Sequence, residues 1–224
     1  MKIQIFAFII CIISIFTFNL RETKSKQYFD SYVFALQWPN GYCHVNNCQS
    51  VLEKYEKNIL TIHGLWPSLK IGNLLRSCTS GVEIVEENTE LFKNMNKYWP
   101  SFQKPNVEFW KHEYNRHGYC MVEEYNWDDY DDYFNFVINL YLKDYRYLLQ
   151  KAFLPDNFNN RKLFTLSYEE IQERIRKIIP NATFKMNCQS DYVYEFYFYL
   201  ETNFTPSKDS EFSKTCNNAK ILFS

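Results

Sequence analysis

The chain has 224 residues, with 25 basic against 26 acidic side chains, a formal charge of −1 and a pI near 6.4. That balance argues against a polybasic protein that holds nucleic acid by bulk charge. With 46 % hydrophobic residues, 19 % aromatic residues and only 5 glycines, the chain is neither intrinsically disordered nor collagen-like.

Lys2 precedes an uncharged apolar run (IQIFAFIICIISIFTF) that fits a secretory signal peptide over residues 1–20, with an uncleaved signal anchor as the rival. Its removal takes away Cys11 and leaves Cys43, Cys48, Cys78, Cys120, Cys188 and Cys216. An even set behind a secretory signal reads as disulfides formed in an oxidising lumen, and spacing alone does not choose the pairs. Asn181-Ala-Thr183 and Asn203-Phe-Thr205 are glycosylation acceptors on such a route. Residues 21–27 form a polar lead-in, and 28–224 suit one domain large enough to bury a full core.

Along that domain, 31–38 (SYVFALQW) predicts a buried strand, ended by a turn at Pro39-Asn40-Gly41. Residues 58–63 (NILTIH) predict a second core strand, broken by Gly64 and Pro67. Helical spacing follows over 86–99 and again over 107–116, the latter with Asn106 as N-cap. The longest periodic segment, 127–150, lines up Tyr130, Phe134, Val137, Tyr141, Tyr145 and Leu148 as one core stripe. Ser167 and Glu170 make a capping box for a helix through Ile171 and Ile175, stopped by Pro180. Residues 191–200 alternate as a strand, and 220–223 read as a closing strand. Strands and helices mix without regular βα alternation, so the expected class is α+β.

Three of the four histidines fall in two short segments, 61–67 and 109–120. On an α-helix, Glu113 and His117 share a face at i,i+4, and His112 and Arg116 form a second such pair beside them. Two imidazoles can serve as general base and general acid, and a guanidinium matches the oxygens of a phosphate. The zinc-protease pattern HExxH is not met, because the second histidine stands at i+5, and short C-x2-C pairs are absent; no metal is expected. Singly, each of these groups reads as core or as a solvated helix face; the two motifs together do not.

Those segments resemble the ribonuclease T2 family, which includes the plant S-ribonucleases. IHGLWP at 62–67 is similar to its first active-site segment and FWKHEYNRHGYC at 109–120 to its second; QWP at 37–39 resembles its N-terminal part. The resemblance implies an α+β single-domain fold with a central antiparallel sheet and flanking helices. It implies transesterification of single-stranded RNA to 2′,3′-cyclic phosphate ends, without cofactor or metal, with low base specificity and no action on DNA.

By resemblance, His117 is the base for the 2′-hydroxyl and His63 the acid for the 5′ leaving oxygen. Glu113, His112 and Arg116 hold phosphate and stabilise the transition state, Trp66 stacks on the upstream base, and Phe109 with Gln37 lines the downstream pocket. The family pattern also suggests the pairs Cys43–Cys48, Cys78–Cys120 and Cys188–Cys216. Arg116 stands where lysine is usual, exchanging a point donor for a planar fork, and Tyr119 replaces a small hydroxyl residue. The implied protein is a monomer of the secreted or endolysosomal lumen, free of membrane after signal cleavage. Rival roles are pollen-type recognition, which suits more basic chains, and a binding protein with vestigial activity.

Overall fold

The computed structural model describes residues 29–46, 48, 53–69, 80–153, 163–207, 216 and 218–224. The signal segment and the polar lead-in therefore lie outside the described residues. Among those that are described, no helix is long and apolar enough to cross a membrane.

Among the described residues the sheet has six strands: β1 (Ser31–Gln37), β2 (Thr61–Ser68), β3 (Leu163–Leu166), β4 (Phe184–Gln189), β5 (Tyr192–Glu201) and β6 (Ala219–Leu222). Their order is β2-β1-β5-β6-β3, with β4 on the other side of β5. All pairings are antiparallel except β5 with β6, which meet in parallel at Tyr192 and Lys220. The helices among the described residues are α1 (Pro39–Asn46), α2 (Glu90–Tyr98), α3 (Asn106–Glu113), α4 (Tyr119–Tyr125), α5 (Tyr130–Asp144), α6 (Leu148–Phe153) and α7 (Tyr168–Arg176). The class is α+β, as expected.

Strand alternation divides the side chains of β1 between two faces. Tyr32, Phe34 and Leu36 enter the main core with Phe196 and Phe198 of β5 and with Phe134, Val137 and Tyr141 of α5. The expected stripe on α5 is that core face, although the helix breaks at Tyr145 and resumes as α6. Each large apolar side chain buried this completely contributes roughly 1.5–3 kcal/mol. Val33 and Ala35 instead join Trp66, Tyr197 and Tyr199 in a separate cluster on the other face.

Four local expectations change. Pro39-Asn40-Gly41 opens α1 rather than a turn, because proline suits the first helical position. Gly41 is needed there for close approach: a Cβ would collide with the carbonyl oxygen of Val193. Strand β2 runs through Gly64 and Pro67 instead of breaking. It is an edge strand, so a missing N–H costs the ladder nothing on its outer side. Helix α3 starts at Asn106 itself, behind Pro105; the Asn106 side chain accepts from Ser101 N–H at 2.8 Å and donates to Asn96 at 2.7 Å, tying the 99–105 loop to α2. Finally α3 stops at Glu113, where a π-helical turn, Tyr114–Gly118, takes over.

Strand β4 is an addition. It forms a hairpin with β5 through Ser190 and Asp191, both with positive φ (50° and 67°), the backbone that a two-residue type I′ turn requires. The Ser167–Glu170 capping box forms in both directions, at 3.2 and 2.8 Å. Disulfides join Cys43 to Cys48 and Cys188 to Cys216. Cys120 is disulfide-bonded, and Cys78, its implied partner, lies outside the described residues. Asn181 and Asn203 are both exposed.

Candidate active site

His63 owes its position to an irregularity in β2. The register pairs Ala35 with Gly64 and Leu36 with Ile62, so His63 is the extra residue of a β-bulge. A bulge re-aims its side chain, and bulges of this kind favour strand edges and active sites. The His63 backbone is held by a relay of indoles: Trp99 donates to the His63 carbonyl at 2.7 Å, and Trp110 donates to the Trp99 carbonyl at 2.7 Å.

The side chain of His63 stands between two carboxylates. Nδ1 hydrogen-bonds Glu195 Oε1, and Nε2 lies 3.5 Å from Glu113 Oε1. Burial disfavours the charged ring, but Glu113 and Glu195 outweigh it, and the pKa is pushed up to about 10. Glu113 is 1 % exposed. Burial drives its carboxyl up, yet His63, His117 and the Trp66 N–H hold it below the usual carboxylate value. The Trp66 indole donates to Glu113 Oε2 at 2.8 Å.

Glu113 and His117 remain electrostatic neighbours, as their i,i+4 spacing implied, although a π-helical turn carries the chain between them. The turn's widened ladder runs from Tyr119 N–H to the Tyr114 carbonyl, an i→i+5 bond. Single π-helical turns of this kind occur often at functional sites. The His117 ring packs 5.1 Å from the Trp66 ring, and its buried Nδ1 has no hydrogen-bond partner among the described residues. Burial pushes His117 down; Glu113 opposes this, while His63, His112 and Arg116 add to it, and the pKa falls to about 4.

A cleft of about 300 Å³ opens beside these groups. It brings together Gln37, His63, Phe109, His112 and Glu113 from the sequence reading. Arg116 is exposed at the rim of the π-helical turn, outside this cleft, as are His117 and Trp66. Trp66 is 5 % exposed, with His63, His117 and Tyr197 around its ring. Little of its ring face is open to a base in this arrangement; it backs His117 and anchors Glu113.

The remaining cleft residues escaped the sequence reading, among them Tyr42 of α1, Lys104, and Tyr194 and Glu195 of β5. The Lys104 ammonium lies 5.9 Å from the centre of the Phe109 ring. No local motif marks any of them. Alternation along 191–200 could have placed Glu195 on the same face as Tyr197, but not beside His63.

An α+β fold of this strand order, with the segments 62–67 and 109–120 brought side by side, is that of a ribonuclease T2-type protein. The model of the ribonuclease T2 family matches residues 29–216, and the chain belongs to that family. It is 34 % identical over 125 residues to ribonuclease DdI of Dictyostelium discoideum, covering 56 % of this chain and 54 % of that protein. It is 31 % identical over 158 residues to ribonuclease T2 of Aspergillus oryzae, covering 62 % and 55 %. The chain thus spans about half the length of these curated relatives. An RNase-related protein from Calystegia sepium has a similar fold, with a TM-score of 0.68 and 23 % identity over 88 % of this chain and 98 % of that one.

Proposed function

We propose that the protein is a metal-independent endoribonuclease that cleaves single-stranded RNA by transesterification. One observation carries this reading: His63 is clamped between two carboxylates, whereas the buried His117 nitrogen has none. Titratable groups whose surroundings push them apart define an acid and a base. His117, neutral, takes the proton of the 2′-hydroxyl. The 2′-oxygen attacks phosphorus and forms the 2′,3′-cyclic phosphate. His63, charged, gives its Nε2 proton to the departing 5′-oxygen.

His112 and Arg116, both exposed, are available to the phosphate oxygens, and Arg116 presents a fork suited to them. Glu113 stays ionised and balances the imidazolium next to it. Phe109 with Gln37 receives the downstream base; ring contacts of this kind accept any base, which supports low base specificity. The upstream base keeps a place at the rim of Trp66, a lesser role than full stacking. DNA, lacking the 2′-hydroxyl, is not a substrate.

The expected setting is the secretory or endolysosomal lumen, where Cys43–Cys48 and Cys188–Cys216 persist. Residues 28–224 act there as one monomeric catalytic domain. Digestion of homopolymer RNAs, with the terminal phosphate identified and with chelator and DNA controls, tests the reading. Cyclic ends from all four polymers, unaffected by EDTA, are expected; loss of activity in EDTA or cleavage of DNA would refute the mechanism.

A further inference from the structure

Glu195 belongs to neither active-site segment. It sits on β5 opposite Gln37 of β1 and is 5 % exposed. A carboxylate buried in a sheet is costly unless it is paired and hydrogen-bonded. Both of its oxygens are engaged: Oε1 takes the His63 Nδ1–H, and Oε2 accepts from Asn187 of β4 at 3.1 Å. The Asn187 contact fixes the carboxylate; the His63 contact fixes the ring. His63 Nε2 is then left to face Glu113 and the cleft that both of them line.

Resting on the reading of His63 as the acid, we propose that Glu195 is the positioning residue of the leaving-group step. It holds the Nδ1 proton, so that the other proton, on Nε2, is the one available to the 5′-oxygen. When Nε2 gives up that proton, Nδ1–H stays on the ring and remains bonded to Glu195, and the imidazole ends neutral in a single tautomer. The geometry is that of a carboxylate orienting a catalytic histidine, here reached through strand register.

Glu195 also bears on how long the ring stays charged. Carboxylates flank His63 from two elements, Glu195 from β5 and Glu113 from α3. The cations Arg116, on the π-helical turn, and Lys104 face the same region, as do the imidazoles of His117 on that turn and His112 on α3. Tyr42, Tyr194 and Tyr197, the last hydrogen-bonded to the Glu195 carboxylate, complete the surroundings of Glu195. All of these persist in a Glu195 variant, so a change in the titration of His63 reports the loss of Glu195. Removing a carboxylate weakens the hold on the proton, and the alkaline limb of activity moves to lower pH.

The test compares Glu195→Gln, Glu195→Ala and Glu195→Asp on a dinucleotide and on an aryl ester of a nucleoside 3′-phosphate. The aryl leaving group needs no proton. For the dinucleotide, Glu195→Ala is expected to lower kcat about 10–100-fold, with KM changed less than about twofold. The aryl ester is expected to lose under about threefold, because the acid is dispensable there. Both Ala and Gln variants shift the alkaline limb of kcat/KM downward, and Asp recovers part of the rate.

Equal losses on the two substrates, or a folded Glu195→Ala with wild-type kcat and an unmoved limb, would overturn the proposal. If Ala fails to fold, the isosteric Gln carries the same readings. If neither folds, imidazole NMR of His63 in the unaltered protein decides: a ring whose Nδ1 carries no proton, or one whose Nδ1–H exchanges as freely as in an exposed ring, would refute it. His63→Ala and His117→Ala serve as controls. If they remain active, the reaction assignment itself has failed; if they are dead and Glu195→Ala is normal, only the role of Glu195 has.

Discussion

The Trp66 indole donates to Glu113 Oε2 across 2.8 Å, joining the edge strand β2 to the end of α3 in the middle of the site. The contact passes over Gly64: a Cβ there would strike both the indole nitrogen and the Glu113 carboxylate. The motif Ile62-His63-Gly64-Leu65-Trp66 therefore carries a histidine, a bulge, an empty space and a clamp in five consecutive residues.

Gly64→Ala should separate Trp66 from Glu113. Forcing a methyl into this packed space should cost about 1–3 kcal/mol of stability. Activity should fall further than stability, because Glu113 loses its donor and His117 loses its backing. Thermal melting and turnover on RNA, measured together, check this; a variant with normal turnover would show that the clamp is dispensable.

Replacing either His63 or His117 by alanine should lower the rate at least ~10²–10⁴-fold with the fold retained. His112→Ala should lose less, mainly as a raised KM, since its exposed ring is assigned to phosphate and not to proton transfer. Steady-state kinetics with circular dichroism on the three variants would distinguish these outcomes.

The pH profile follows from the two imidazoles. In the proposed mechanism His117 acts unprotonated, so activity is expected to rise with pH through about 4. His63 acts protonated there, so activity is expected to fall as pH rises through about 10. Two unperturbed imidazoles would confine activity near pH 6.5; these leave a broad window. Within it, optimum turnover is expected below pH 7, where the protein gains positive charge and attracts RNA more strongly. The stability contribution of His63 has the sign of a raised pKa: it is fully present below its unfolded value and is lost as pH rises through the folded one. Activity and melting temperature across about pH 3–11 measure both.

Breaking Cys188–Cys216 by a double serine substitution should cost about 2–5 kcal/mol. The bond ties the end of β4 to the chain entering β6, so its loss loosens the hairpin that carries Glu195 and Asn187. A lower melting temperature with reduced kcat is expected. Peptide mapping of the unreduced protein should also find Cys78 joined to Cys120; Cys78 free or paired elsewhere would overturn that assignment.

What could be read from the chain alone is what lies close together along it. His63, Trp66, His112, Glu113 and His117 fall in two short segments, so residue type and spacing were enough to point to acid-base chemistry. The α5 stripe and the capping box of α7 were legible for the same reason: their periodicity and end signals are local. Residues 39–41 carry a local turn signal that misled, because the close approach of Gly41 to Val193 is set by packing across 152 positions of chain.

Tertiary structure decided which groups touch. The bulge that aims His63 depends on pairing with β1, and the i→i+5 turn that carries His117 departs from the α-helical periodicity on which the i,i+4 reading rested. Glu195, 132 residues after His63, reaches its ring only through the register of β2, β1 and β5. Hydrogen bonds and charge act over a few ångströms of space, whatever the separation in sequence, so the tuning of the two histidines is a property of the fold and their identity a property of the chain.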